Sequence, residues 1–160
     1  MSDVVLTERE GGLATVTVNR PEALNALNQE VLERLASTFA ELAADEQCRV
    51  IILRGAGDRA FIAGADIAAM ATLAAEEART FMELGQAVCN RIESVPQVVI
   101  AAVNGYALGG GLRDCAGVRL AGWQQNRPAL ACPRSRSGSS LPGEAPNACP
   151  AWLGADVRSS

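Results

Sequence analysis

The sequence is organised around one glycine-rich stretch, Ala101-Ala-Val-Asn-Gly-Tyr-Ala-Leu-Gly-Gly-Gly111. A short β-branched, apolar run from Val98 to Val103 overlaps its start and predicts a buried strand. Asn104-Gly105 breaks this run. The glycines at 109–111 allow positive φ and let another group approach the backbone closely. Bare N–H groups that lead into a helix favour a negative charge, but a glycine triplet taken alone is more typical of a structural turn than of a binding site.

A second small-residue turn lies upstream, in Arg59-Ala-Phe-Ile-Ala-Gly-Ala-Asp-Ile-Ala-Ala-Met70. Like the glycine triplet, it follows an apolar strand region and precedes a helix. Two turns of this kind in one chain are less easily explained as structure alone, because each of them would place bare backbone N–H groups at the end of a strand.

Three segments resemble the crotonase (enoyl-CoA hydratase/isomerase) superfamily in residues, order and spacing. They are Asn19-Arg-Pro-Glu-Ala-Leu-Asn-Ala-Leu27, Ala60-Phe-Ile-Ala-Gly-Ala-Asp-Ile67 and Pro96-Gln-Val-Val-Ile-Ala-Ala-Val-Asn-Gly-Tyr-Ala-Leu-Gly-Gly-Gly111. The resemblance covers residues 1–111 and stops after Gly111. It implies an α/β fold, the crotonase-like spiral of ββα units, assembled into homotrimers or pairs of trimers. We therefore expect residues 1–111 to form the N-terminal part of that spiral and residues 112–160 to be an irregular tail.

Composition limits the function classes. A chain of 160 residues with 49% apolar residues can build one domain with a real core. Its net charge of −4 and its lack of a basic cluster argue against nucleic acid as a partner. The start Met1-Ser-Asp lacks a signal peptide, no apolar stretch is long enough to span a membrane, and the five cysteines contain no CxxC pair, so we expect a cytoplasmic protein. The absence of histidine excludes histidine-based catalysis in this chain.

Periodicity predicts the elements before the first turn. The β-rich segments Val4–Arg9 and Leu13–Asn19 flank a Glu10-Gly-Gly12 hairpin signal. From Asn28 to about Ala44 the apolar residues recur at steps of three and four, which predicts an amphipathic helix with Val31, Leu35, Phe39 and Leu42 on its buried face.

The same reasoning covers the rest of this region. Arg49 to Arg54 predicts a strand and 55–58 a loop. After the Ala63–Ala65 turn we expect a second long helix, which ends before Pro96 and carries Phe81, Leu84, Val88 and Ile92 on one face. The alternation of strands and helices predicts a layered α/β architecture.

The resemblance also implies a chemistry for the two turns. Addition of water to an enoyl thioester pushes negative charge onto the thioester oxygen, and fixed donors stabilise it, each by about 3–4 kcal/mol. Two backbone N–H groups suffice and need no particular side chain, so small residues fit both turns. By analogy with the family, the donors are the N–H groups of Ala65 and Gly110. A helix starting after Gly110 would add partial positive charge.

The substrate implied by the resemblance is an acyl-CoA thioester, with no metal and no redox cofactor. Its acyl channel and CoA loop are assigned to ten residues, namely Ala23, Leu24, Ala26, Ala63, Ala65, Asp66, Ile67, Ala68, Gly109 and Gly110. Three acidic or reactive side chains have plainer interpretations. Asp66 is more typical of a helix N-cap than of a catalytic acid. Cys89 is more typical of a core or partly buried residue than of a reactive thiol, and the Glu76-Glu77 pair is typical of a solvated face near a helix start.

The acid–base half of the chemistry is missing from the sequence. In hydratases of the family, one glutamate two residues after the third glycine and a second one further on activate water. Here Arg113 occupies the first position, and a guanidinium cannot act as a base. Asp114 is one residue off, a rotation of roughly 100° on a helix. Glu144 lies in a proline-rich context that does not resemble the second site.

Residues 112–160 differ from the preceding chain. Five of the seven prolines and three of the five cysteines lie there, without period 2 or 3.6, as in a disordered extension. Back-translation suggests a sharper hypothesis. From the second base of the Leu112 codon, permitted codons read Cys-Glu-Thr-Ala-Leu-Ala-Cys-Asp-Leu-Arg. From the last base of the Ala131 codon they read Leu-Pro-Glu-Val-Lys-Val-Gly-Leu-Ile-Pro-Ala-Gly. Both resemble the family's glutamate segments, so we hypothesise out-of-frame translation through two small insertions or deletions.

Several functions remain open at this point. The resemblance favours an enoyl-CoA hydratase, a lyase that adds water to a trans-2-enoyl-CoA, with little activity in the chain as written. An enoyl-CoA isomerase or another acyl-CoA dehydratase would share the same oxyanion hole. The alternative from another class is a truncated or frameshifted polypeptide without enzymatic activity, which would unfold without cooperativity and gain no stability from CoA.

Overall fold

The structure, a computed structural model, describes residues 3–108, 119–121 and 130–131. The described strands are β1 Val5–Glu10, β2 Leu13–Val18, β3 Val50–Gly55, β4 Ala60–Ile62, β5 Val98–Ala102, β6 Tyr106–Leu108, β7 Arg119–Ala121 and β8 Leu130–Ala131. The described helices are a 3-10 turn Pro21–Ala23, α1 Gln29–Ala44, α2 Ile67–Met70 and α3 Ala75–Ser94. The layered α/β architecture predicted from the sequence is confirmed.

The larger sheet has the strand order β1-β2-β3-β5-β7. The hairpin is antiparallel, with Val5 opposite Val18 and Glu10 opposite Leu13, and its turn uses a positive φ at Gly11. The remaining strands run parallel, each pair joined by a crossover through a helix or a second sheet. Alternate residues of β2 are buried, which is the pattern of a sheet with one face packed against a core.

The core forms where α1 and α3 cover the sheet. Helix α1 begins at the N-cap Asn28, whose Oδ1 accepts a hydrogen bond from the Val31 N–H at 3.0 Å. The two helices and three strands bury one continuous apolar cluster, to which they contribute Val31, Leu32, Leu35, Phe39, Leu42, Phe81, Val88, Ile92, Val16, Val18, Ile51, Leu53, Val99 and Ala101. The predicted buried faces of both long helices are confirmed, except that Leu84 is only partly buried.

A second sheet has the order β4-β6-β8, and its described strand pairs are parallel. Ala60 pairs with Tyr106 and Ile62 with Ala107. Because parallel strands point the same way, the chain leaves β4 and β6 at the same edge of this sheet. The turn that begins at Ala63 and the glycines that begin at 109 are therefore attached to neighbouring strand ends.

Three features differ from the sequence-based expectations. The segment after the Ala63–Ala65 turn forms two helices, because α2 ends at Met70 and α3 begins only at Ala75. Tyr106–Leu108 forms a strand that the flanking glycines had hidden. Strands β7 and β8 fall within the region expected to be an irregular tail, while 109–118, 122–129 and 132–160 lie outside the described residues.

None of the helices in the described ranges combines the length and the apolar character that crossing a membrane requires.

Candidate functional site

The backbone at Ala65 presents a hydrogen-bond donor with no partner in the described part of the chain. Leu27 and Ala65 form an isolated parallel bridge, in which the Leu27 N–H donates to the Gly64 carbonyl and the Asp66 N–H donates to the Leu27 carbonyl, each at 2.8 Å. In a planar trans peptide the N–H points opposite to the C=O. Because the Gly64 carbonyl faces Leu27, the Ala65 N–H points away from it.

The turn itself depends on Gly64. This residue has φ of 99° and is buried, a combination that glycine adopts readily and other residues do not. The preceding Ala63 N–H donates to the Leu24 carbonyl at 3.2 Å. The turn is thus held against the 20–27 loop on both sides of Gly64.

Asn25 organises the 20–27 loop from inside the protein. Its side chain is fully buried, and Nδ2 donates to the Ala60 carbonyl at 2.8 Å and to the Ala56 carbonyl at 3.0 Å. Its Oδ1 accepts from the Arg20 N–H at 3.0 Å. Leu24 and Asn25 both have positive φ, of 52° and 56°. Asparagine tolerates this conformation, whereas for leucine it is strained and persists because the surrounding bonds fix the loop.

Arg20 joins the loop to the turn. One guanidinium nitrogen donates to the Ala26 carbonyl at 2.7 Å and the other to Asp66 Oδ2 at 3.1 Å. Both side chains of the ion pair are mostly buried, with 17% of each exposed. Arg20 therefore binds a residue adjacent to Leu27 and a residue adjacent to Ala65, the two members of the bridge.

Asn104 fixes the segment between the two sheets. Its Nδ2 donates to the carbonyls of Gly55 and Gly57, while its Oδ1 is buried without a hydrogen-bond partner among the described residues.

A Cβ on Gly55 would overlap the carbonyls of Phe61 and Ala60. The close approach of β3 to β4 is therefore possible only with glycine at this position.

Asp66 is a structural carboxylate, as its sequence context predicts. Its Oδ1 accepts from the Ala69 N–H at 3.1 Å and caps α2. Hydrogen bonds from the backbone N–H of Ala69, and next from Arg20, hold the pKa of Asp66 below its usual value although burial opposes this. A carboxylate with a lowered pKa that already accepts several hydrogen bonds is a poor general base.

The structure brings most of the predicted substrate-binding residues together. Ala23, Leu24 and Ala26 lie in the 20–27 loop and are half-buried, next to the half-buried Ala63, Ala65 and Asp66. Ile67, 79% exposed, and the exposed Ala68 begin α2 on the same turn. The loop and the turn thus place these residues side by side, with the apolar side chain of Ile67 exposed next to them.

The other predicted residues lie outside the described residues. These are Gly109 and Gly110, together with Arg113 at the position expected for the first glutamate. Leu108, the last described residue before them, ends β6 at the same sheet edge as Ile62, which ends β4.

The remaining minor expectations agree with the structure. Glu76 and Glu77 are exposed at the start of α3, where Glu77 accepts from the Ala74 N–H at 2.7 Å. Cys89 is partly buried.

Sequence reasoning missed Arg20, Asn25 and Asn104 as parts of the site. All three stand in the segments that carry the family resemblance, but no periodic pattern marks them. A usable signal was the Arg-Pro pair at 20–21 directly after an apolar strand, since a charged residue there must turn outwards or find a partner.

Comparison with known proteins places these features in a family. A family model for enoyl-CoA hydratase/isomerase matches residues 8–118. The chain is 48% identical over 107 residues to the short-chain-enoyl-CoA hydratase of Clostridium acetobutylicum, covering 67% of this chain and 41% of that one. It is 45% identical over 119 residues to the crotonyl-CoA hydratase of Syntrophomonas wolfei, covering 73% and 46%.

Solved structures agree with this placement. An enoyl-CoA hydratase from Bacillus anthracis superposes with a TM-score of 0.70 at 32% identity, over 72% of this chain and 45% of that one. An enoyl-CoA hydratase/carnithine racemase from Magnetospirillum magneticum gives 0.69 at 42% identity, over 74% and 45%. The chain spans less than half the length of each of these four proteins. Over the matched segment, these comparisons confirm the resemblance to the crotonase superfamily and the fold that it implies.

Proposed function

Because the chain belongs to the enoyl-CoA hydratase/isomerase family, we propose that it binds an enoyl-CoA thioester and holds the thioester oxygen with backbone N–H groups. The observation that carries this proposal is the Ala65 N–H, which points away from its bridge partner and has no acceptor in the described residues. The names of the relatives, a short-chain-enoyl-CoA hydratase and a crotonyl-CoA hydratase, support the substrate class.

In the proposed reaction, a hydroxyl group adds to C3 of the enoyl thioester and a proton to C2. Negative charge develops on the thioester oxygen as the C–O bond forms, and the Ala65 N–H stabilises it together with the N–H of Gly110. The neighbouring strand ends of β4 and β6 support this pairing, because they attach both turns at one edge of the sheet.

The proton-transfer groups of this reaction are not supplied by the sequence as printed. Arg113 stands at the position of the first glutamate, and Asp66 caps a helix and pairs with Arg20. We therefore expect substrate binding without measurable hydration of crotonyl-CoA by this chain. Turnover by the purified protein would contradict this expectation.

We propose that residues 112–160 are translated out of frame. Sequencing the gene across codons 108 to 135 tests this directly. A restored frame would give a longer protein with glutamates at both positions and make hydration the expected activity. Bases that forbid the alternative codons would refute the proposal, and the binding function would then stand without a hydratase step.

Replacing Ala65 by proline tests the donor. Proline removes the N–H, and because that N–H has no acceptor among the described residues, the substitution breaks no hydrogen bond between them. We expect the Kd for crotonyl-CoA to rise roughly 3- to 10-fold, the value of one neutral hydrogen bond, with little change in the Kd for free CoA. Calorimetric titration measures both constants.

The matched control is Ala75→Pro. Ala75 is exposed at the first position of α3, where proline is favoured, so both constants should stay unchanged. Equal binding of crotonyl-CoA by the wild-type and Ala65→Pro proteins would refute the proposed role of this donor.

A further inference from the structure

We propose that Arg20 is a positioning residue for the Ala65 N–H, and this inference rests on the proposed function of that N–H. The guanidinium reaches the Ala26 carbonyl at 2.7 Å and the Asp66 carboxylate at 3.1 Å. These acceptors flank the bridge between Leu27 and Ala65. One rigid planar group thus clamps together the two segments whose register orients the donor.

Arg20 is held in place by Asn25, whose side chain is fully buried. The Arg20 backbone carbonyl accepts from the Asn25 N–H at 2.8 Å, and the Arg20 N–H donates to Asn25 Oδ1 at 3.0 Å. The Asn25 side chain in turn binds the Ala60 carbonyl at the start of β4. A continuous chain of hydrogen bonds therefore runs from β4 through Asn25 and Arg20 to Asp66, at the far side of the turn.

Arg20 also pairs with the charged side chain of Asp66, the residue after the donor. Asp66 directly follows Ala65, and its ionised carboxylate would oppose negative charge developing on a bound thioester oxygen. The mostly buried ion pair with Arg20 offsets this charge where solvent screening is weak. Loss of Arg20 would both loosen the bridge and leave Asp66 unpaired beside the site.

Isotope-edited infrared spectroscopy of bound crotonyl-CoA, labelled with ¹³C at the thioester carbonyl, tests this on the full chain without requiring turnover. Hydrogen bonding to the carbonyl lowers its stretching frequency relative to free crotonyl-CoA. In the wild-type protein we expect such a shift. In Arg20→Met, at a ligand concentration that saturates the protein, we expect the band to move at least half-way back towards the free-ligand frequency.

Two further variants make the result decisive. Arg20→Lys keeps the charge but cannot span both acceptors, so we expect a smaller loss of the shift, and this variant serves if Arg20→Met fails to fold. Arg9→Met is the matched control. Arg9 forms an ion pair at 2.8 Å with Asp45, which follows the end of α1, so this variant should leave the band unchanged.

The two possible failures are distinguishable. A wild-type band at the free-ligand frequency would refute the proposed function itself. A wild-type shift that persists in full in folded Arg20→Met or Arg20→Lys would refute the role of Arg20 and leave the donor proposal intact.

Discussion

The carboxylate of Asp66 serves two partners at once, the N-terminus of α2 and the guanidinium of Arg20. Both partners favour its ionised form, which is why its pKa lies below the usual value. A sequence can suggest the first partner, because an aspartate before a helix is a familiar N-cap. It cannot suggest the second, because Arg20 and Asp66 are 46 positions apart and meet only when the 20–27 loop folds onto the turn.

Asp66→Asn should lower stability in a pH-dependent way. Asparagine retains the cap but not the charge, so we expect a loss of about 1 kcal/mol at neutral pH. A lowered pKa in the folded protein means that the carboxylate stabilises the fold above its unfolded pKa of roughly 4 and that this contribution disappears as the pH falls through its folded value. Urea unfolding of both proteins from pH 7 to pH 3 measures the difference, which should shrink towards acid. A constant difference would contradict the charge argument.

Among the elements, α1 is one that the sequence predicts, and β6 is one that it does not predict. Helix α1 was predicted because the spacing of its apolar residues matches a face that the core buries completely. Strand β6 has three residues, lies between glycine signals and exposes Tyr106 by 45%. This strand forms because it pairs with β4. Pairing between segments that are distant in the sequence produces no periodic pattern of apolar residues.

Gly85→Ala should stabilise α3. Gly85 lies inside this helix, and a Cβ there would meet Leu32 Cδ1 at 3.8 Å, an ordinary van der Waals contact. Alanine restricts the unfolded chain and favours a helix, so we expect a gain of about 0.5–1 kcal/mol. Gly55→Ala is the contrasting variant, because its Cβ would overlap backbone carbonyls and should cost at least about 2 kcal/mol. Denaturant midpoints of the two variants on opposite sides of the wild-type value would support this view, and a destabilised Gly85→Ala would contradict it.

At the scale of the whole molecule, the described residues form two sheets of different size, which are joined by 56–59 after β3 and by 103–105 after β5. The larger sheet and its helices supply most of the apolar cluster, and the smaller sheet adds Phe61, Ile62 and Ala107 to it and carries the proposed site at one edge. The layered architecture follows from hydrophobic patterning. The attachment of the small sheet depends on polar side chains, Asn25 and Asn104, which bind the carbonyls of 55–57 and 60. Hydrophobic patterning does not encode such contacts. The site residues were therefore predicted from the family resemblance, whereas the hydrogen bonds that hold them in place were not predicted.

Phe39→Ala tests whether the described core determines the stability of the molecule. Phe39 is fully buried between the helices and the sheet, and its truncation should cost about 3–5 kcal/mol. Met82→Ala, at a side chain 55% exposed on α3, should change stability by less than about 0.5 kcal/mol. Thermal unfolding by circular dichroism compares the two. Similar small effects would indicate a chain without a cooperative core, as in a non-functional fragment.

The residues that aim the Ala65 N–H are Arg20, Asn25, Leu27, Gly64 and Asp66, all of which precede α3 in the chain. In the proposed function, the Ala65 donor and its supports are therefore encoded before α3, whereas Gly110 and Arg113, the residue at the position expected for the first glutamate, are encoded after it. A shift of the reading frame after codon 111 would leave every residue around the Ala65 N–H encoded. If the proposed function holds, such a shift separates thioester binding from proton transfer, and the translated chain keeps affinity for a thioester that it does not hydrate.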